Sequence, residues 1–531
     1  MMTSKQFLLW LLILLMKLTG CSQSQMPIEP TPPTIFQPAV LLPTPPDQIT
    51  IGLTNDITSL DPHLITDTFS RVVLDNIYDT LVYRTADLAL TPSLALSWQA
   101  LDLTTWEVKL RPNVYFHNGE PFTAADVKFT LERPLQDPQK FTATYNRFAV
   151  IEEVLILDDT TVHIKTHEPY PLMAARLSEW HILSHTYVAQ IGSDALHDHA
   201  NGTGAYRLVE WQPNEQIRLQ ANPNHWGGEP TILQAVFLPL PDLNDRLFAL
   251  IINRADIITD LPLNYQTELV KYPNLTYRLE PSTYIQYIAL DGTKNPILAD
   301  VRVRQALQYA TNVPALVEEV FAGAARPIPI PIAPNTFGYD ASIPFYGYNP
   351  QRARELLAEA GYPDGFRMVL DAPVGRYPGD QQTVALIAEQ WAAVGVQLEV
   401  IYNDWPTQLA KYRSPEAQDL AEAHFMGWGT STFDADDILY NAFAVQPNRS
   451  HYTNPEVTRL VMSAHTTMSQ SERLGYYQQA LRIIHAEVPW IFLFQQYDIY
   501  GVNRRVQWQP RSDQRLILRE IILAPISAAD P

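Results

Sequence analysis

The chain has a single cysteine, Cys21, among its 531 residues. No internal disulfide can staple it and no multi-cysteine metal centre can organise it. Its stability must therefore come from buried apolar surface. The composition supplies that: 46% of residues are hydrophobic and 18% charged, which is globular rather than disordered. The formal net charge is −20. A chain this acidic repels phosphate backbones, so general nucleic-acid binding is excluded. The charge speaks to solubility and says nothing of function.

The cysteine also follows an address. Phe7 to Met16 is an unbroken apolar run of ten residues, preceded by Lys5. A bilayer span needs about 20 residues, so the run reads as the core of a signal peptide. Leu18-Thr19-Gly20-Cys21 resembles a bacterial lipobox, in which the signal is removed before the cysteine and the cysteine is acylated. Lys17 departs from the usual apolar pattern. Multiple acyl chains on Cys21 would hold the protein at a membrane, since stable anchoring takes more than one lipid signal. Eight of the 43 prolines fall between Met26 and Pro46. Proline favours extended backbone, so residues 21–46 read as a semi-rigid tether.

Beyond the tether the pattern is mixed. Ile49 to Leu53 reads as a strand. Asp67 to Asp79 places Phe69, Val72, Val73 and Ile77 at helical spacing. Ser97 to Leu110 reads as a hairpin, and so do Tyr206–Trp211 and Gln216–Ala221 around Pro213-Asn214-Glu215. Thr123 starts a helix with Asp126 three residues on, a variant capping box. Asn349-Pro350 and Asn454-Pro455 are helix starts, and Gly361 is a left-handed stop. Trp98, Trp106 and Trp226 lie in these structural segments and are expected in the core. Strands and helices alternate irregularly, which argues for α/β lobes.

Several blocks then add up to a family. Leu60-Asp61-Pro62-His63, the stretch Trp106 to Leu131 (WEVKLRPNVYFHNGEPFTAADVKFTL), Gly202-Thr203-Gly204-Ala205-Tyr206 with Asn222 to Trp226, Val301 to Leu307, and Tyr348 to Phe366 (YNPQRARELLAEAGYPDGF) occur in order. Together they resemble the family 5 extracytoplasmic solute-binding proteins of peptide- and nickel-type ABC importers. The resemblance implies an α/β, two-lobe, type II periplasmic-binding-protein-like fold with an extra subdomain inserted in lobe I. The lipobox and the prolines, read independently, place the signal peptide at 1–20 and the tether at 21–46. Lobe I would comprise 47–81, 181–286 and 498–531, with the insertion at 82–180, and lobe II would be 287–497. Hinge crossings are expected near Tyr284–Ala289 and Phe494–Tyr500. The implied protein is a monomeric, lipid-anchored receptor in the periplasm or on the outer face of the cell membrane. It would close its lobes on a peptide-like or other mid-sized organic solute and deliver it to a permease and its ATPase. No cofactor or metal is implied.

The resemblance also nominates ligand contacts. Peptide-binding relatives carry a segment of the form G-W-x-x-D-x-x-D-P, whose first Asp grips the ligand ammonium. Counted from Gly427, that position is Ser431 here. A neutral hydroxyl cannot make the charge-assisted pair an ammonium needs in a desolvated cleft. Asp434 matches the later Asp and reads more readily as the cap of a helix through Ile438 and Leu439 than as part of a cation site. Arg376 stands where the family often has an arginine able to fork a carboxylate. Trp405 and Trp428 are candidates for stacking on a ligand. His181, His185, His197 and His199 lie within nineteen residues and suit a transition metal by type. They lack a matched acidic ligand pattern, and the favoured reading is surface histidines.

Enzyme motifs are missing. There is no GxSxG, GxxxxGK[ST] or HExxH. Two other readings stay open from sequence: a signalling or structural lipoprotein on the same fold, and an extracellular hydrolase built on an unassigned carboxylate pair.

Overall fold

The local signals become the elements that carry the site. The structure, a computed structural model, describes residues 45–142, 144–414, 419–445 and 450–524. The signal segment, Cys21 and nearly all of the tether lie outside them. Thr68–Ile77 is a helix whose cap, Asp67, accepts from the Ser70 N–H at 2.8 Å. Ala124–Gln136 is the second helix, and Asp126 reaches back to the Thr123 N–H at 2.8 Å. Asn349 and Asn454 cap Pro350–Glu359 and Pro455–Thr466.

One eleven-stranded sheet runs through these residues. At its centre, Leu275–Leu290 and Trp490–Asn503 pair antiparallel from Leu275↔Asn503 to Ala289↔Trp490. On one side follow Ile257–Ile258, Gln48–Leu53, Gln234–Pro239, Gln216–Ala221 and Tyr206–Gln212. On the other follow Ala423–Trp428, Arg367–Pro373 and Gln397–Asn403, and the eleventh strand, Ala325–Pro327, pairs off this path with Trp490–Asn503. The two central strands therefore serve both ends of the sheet, and both expected crossings fall within them. Their register shifts between Pro281 and Ile285. Ser282 pins this bulge: its hydroxyl donates to Gln496 O at 2.8 Å, and its carbonyl accepts from Gln495 Nε2 at 2.6 Å. A bulge re-aims neighbouring side chains. Here these are Thr283 and Tyr284, which face the cavity described below.

A separate four-stranded sheet is built from Ala95–Ala100, Thr105–Leu110, Thr161–Thr166 and Ile151–Asp158, within the 82–180 range. Its Val108, Val154 and Ile164 pack on Ala124, Val127 and Leu131 of the second helix. Trp106 is buried there, while Trp98 and Trp226 are half-buried against the same cluster. Three further apolar clusters fill the two ends of the large sheet. The Gly202-Thr203-Gly204 motif has a steric cause. A Cβ on Gly202 would lie 2.0 Å from Ile77 O, and one on Gly204 would lie 2.6 Å from Asn76 O. The chain crosses the end of the first helix so closely that no side chain fits.

Two expectations change. The helix Asp436–Leu439 is capped at Ala435, not at Asp434. Asp434 does accept from the Asp436 N–H at 3.0 Å, but it also forms a buried ion pair with Arg473 at 2.9 Å. The histidines are not uniformly on the surface. His181 is buried, and its Nε2 meets Asp75 Oδ1 at 2.8 Å. His185 pairs instead with Asp126, and His199 with Asp198. The i,i+4 spacing of His181 and His185 does not put them on one helix face, because the helix His185–Ile191 begins only at the second. Among the described residues no three His, Cys, Asp or Glu side chains converge to hold a metal.

Candidate functional site

A cavity of about 220 Å³ lies where the two ends of the large sheet meet the central strands. One wall comes from residues 62–71, from Arg84, Arg147 and Phe148, from 179–181 and from 512–515. The facing wall is the loop 429–433 that leaves the strand Ala423–Trp428. Each local structure has a reason. The first helix starts at Asp67 and brings Arg71 to the rim. Phe148 and Trp180 stack at 4.6 Å and 19° as a buried apolar floor. Gly429 passes so close to Tyr284 that a Cβ there would lie 2.8 Å from its ring. Phe433 holds φ at +60°, a strained value for a bulky residue, and its ring lies 4.9 Å beneath the Arg84 guanidinium.

The walls also touch directly. Arg84 Nη2 donates to Thr432 O at 3.1 Å. Arg176 pairs with Asp437 at 2.8 Å and donates to Ser431 Oγ at 3.3 Å. Asp437 in turn accepts from the backbone N–H groups of Ser431 and Thr432, both at 3.0 Å. One carboxylate thus fixes the loop and ties it to the opposite wall.

The electrostatics of the cavity are lopsided. Arg71, Arg84, Arg147 and Arg515 line it against the carboxylates of Asp67, Glu179 and Asp513. Arg515 has carboxylate partners, Asp75 at 3.6 Å and Asp513 at 3.7 Å. Among the described residues, Arg71, Arg84 and Arg147 have none within ion-pair distance. Burial pushes the Arg84 guanidinium down to about 10. Burial also lowers Arg147, with the charges of Arg71 and Arg176 adding to the effect and those of Glu179 and Asp437 opposing it. Glu179 is 5% exposed and pairs with Arg176 at 3.3 Å. Burial alone would raise its carboxyl, but Arg176, Arg71 and Arg147 together hold it below the usual range. Its Oε1 is buried with no hydrogen-bond donor among the described residues.

The nominated residues divide. Ser431 lines the cavity. Trp428 precedes the lining loop and is half-buried, 6.4 Å from Trp490 between ring centroids. Arg376 is exposed and lies 4.9 Å above Trp405 and 5.2 Å above Tyr377, and neither Arg376 nor Trp405 is in the cavity wall. Sequence reasoning missed Arg71, Arg84, Arg147 and Glu179. No local motif marks them, since four separate segments supply them.

A cavity set across two long strands that serve both ends of one sheet defines a two-lobed solute-binding protein. Residues 89–450 match the model of the bacterial extracellular solute-binding proteins, family 5 Middle. The chain is 32% identical over 454 residues to the glutathione-binding protein GsiB of Pectobacterium atrosepticum, covering 83% of this chain and 87% of that one. Two solved structures superpose closely. The periplasmic binding protein DppA of Helicobacter pylori, in complex with the peptide STSA, has a TM-score of 0.75 at 26% identity, covering 90% of this chain and 98% of its own. HbpA2 of Haemophilus parasuis has a TM-score of 0.81 at 25% identity, covering 90% and 100%. The chain belongs to the family 5 extracellular solute-binding proteins and acts as a substrate-binding receptor.

Proposed function

We propose that this receptor captures a small peptide-like solute by closing two lobes over the cavity, and hands it to the permease and ATPase of an ABC importer. The observation that carries the reading is the cavity itself, with one wall from each end of the sheet. A ligand touching both walls favours the closed arrangement through its differential affinity. The lobes would follow the division given above, with 47–81, 181–286 and 498–531 against 287–497 and the insertion at 82–180. The bulge at Pro281–Ile285 would be one hinge. The cavity is smaller than the roughly 300–1,000 Å³ of drug-sized sites, which favours a dipeptide or tripeptide over a long chain. A glutathione-binding relative and a relative holding a four-residue peptide point the same way. Ser431 would meet the ligand directly, Trp428 would back its wall, and Arg376 with Trp405 would form an outer rim for a longer ligand. Binding would proceed without turnover.

Saturable ligand should raise the melting temperature and shift the tryptophan fluorescence. A flat response across short peptides, oligosaccharides and metal chelates would remove the receptor reading for these solutes.

The protein would work as a monomer tethered through lipid on Cys21. Among the described residues no helix is long and apolar enough to cross a membrane. Cys21→Ser should release the protein from the membrane fraction of the cells that make it. Unchanged retention would end the lipoprotein reading.

A further inference from the structure

The chain carries 57 acidic against 37 basic residues, yet its cavity sets four arginines against three carboxylates, Asp67, Glu179 and Asp513, and none of these lies within ion-pair distance of Arg71, Arg84 or Arg147. Arg71, Arg84 and Arg147 come from separate segments; Arg84 is buried, and Arg71 and Arg147 are half-buried. Placing like charges together in a desolvated cavity costs free energy. The fold recovers that cost only in part: Glu179 lends its charge, but Arg71 and Arg147 form no ion pair or side-chain hydrogen bond among the described residues, and Arg84 has only backbone carbonyls, the Ser178 hydroxyl and the Phe433 ring. The missing partner must come from outside the chain. A guanidinium prefers planar oxyanions, which it takes in a fork. Beside the three lies Glu179 Oε1, a buried acceptor with no donor.

Resting on the receptor reading above, we infer that the cavity selects a small solute with two carboxylates, held by Arg71, Arg84 and Arg147, and that Glu179 Oε1 accepts an N–H of the same solute. The charge excess then sets specificity. A neutral peptide would leave the guanidiniums unpaired, and a cationic one would be repelled. Arg147 is the sharpest probe, because among the described residues it has no ion pair or side-chain hydrogen bond to lose. Its removal should weaken binding while making the empty protein more stable.

Calorimetric titration tests this with four probes. One is glutathione. The others are a tripeptide with one glutamate, its glutamine counterpart, and that counterpart amidated at the C-terminus, which carry two, one and no carboxylates. Each lost carboxylate should weaken binding on the order of 10- to 100-fold, as for hydrogen bonds to charged groups. Arg147→Met should lose a similar factor for the dicarboxylates and should melt at a higher temperature than wild type without ligand. Arg71→Met should repeat the pattern if the first variant folds poorly. Equal affinity along the peptide series, or no loss in either variant, would overturn the inference and leave the receptor reading intact. Binding of a different solute class with none of the four probes bound would do the same. Silence toward every solute class would overturn both.

Discussion

Replacing Asp61 by alanine should cost the fold about 3–5 kcal/mol, the usual penalty for stranding one partner of a buried ion pair. Asp61 is fully buried, and Arg133 holds it with two contacts, at 2.6 and 2.9 Å. It also accepts from the His63 N–H at 3.0 Å. Without it, the Arg133 charge, itself 5% exposed, keeps no carboxylate among the described residues, only His63, the Ser193 hydroxyl and the Phe141 ring. The pair joins the Leu60–His63 segment to the helix Ala124–Gln136, and Pro62 and His63 form part of the cavity wall. His63 depends on this packing: burial drives its imidazole down to about 3, so it stays neutral between Phe141 and Phe148. Denaturant unfolding at pH 7 measures the loss, and a cost under about 1 kcal/mol, the range of an exposed pair, would contradict the assignment. Changing both partners to well-packed apolar residues should cost much less than changing either one.

The second large effect depends on pH. Asp498 sits in the strand Trp490–Asn503, where its Oδ1 accepts from Gln514 Nε2 at 2.7 Å and its Oδ2 is buried without a partner among the described residues. Burial, with Asp260 and Glu280 adding, pushes its carboxyl up to about 8. The folded value thus lies above the roughly 3.9 of an unfolded aspartate. Folding favours the protonated form, so this group weakens the fold progressively as pH rises from about 4 to about 8, and the loss is complete above that. Asp498→Asn keeps the shape without the charge. The variant should be more stable than wild type by about 2–5 kcal/mol at pH 9, with the gap closing toward pH 4. Thermal melts at both values decide it. A gap that stays constant with pH, or grows on acidification, would show that Asp498 is ionised in the folded protein.

Much of the fold was legible because its signals are local. A proline after asparagine, a glycine past the last helical turn and an apolar residue every third or fourth position each act within a few residues. Asn349, Gly361 and Val72 could therefore be read without knowing their neighbours. Asp61 and His63 were visible as part of a motif, but the reason for the motif, Arg133, lies some seventy residues away. The cavity was less legible for the same reason. Ser431 was found by counting within one loop. Arg71, Arg84, Arg147 and Glu179 share no spacing, and only the folded chain brings them together. His181 misled because four nearby histidines look like a set, while the partner of His181, Asp75, stands 106 positions earlier. Net charge misled by omission: a total of −20 conceals a cavity in which Arg71, Arg84 and Arg147 form no ion pair among the described residues.

Closure over a solute is the central claim, and small-angle X-ray scattering reads it most directly. The protein should be measured without ligand and then saturated with whichever small solute raises its melting temperature most. The radius of gyration should fall on saturation, because ligand bound to both walls holds the lobes together. An unchanged radius at full occupancy would contradict the account.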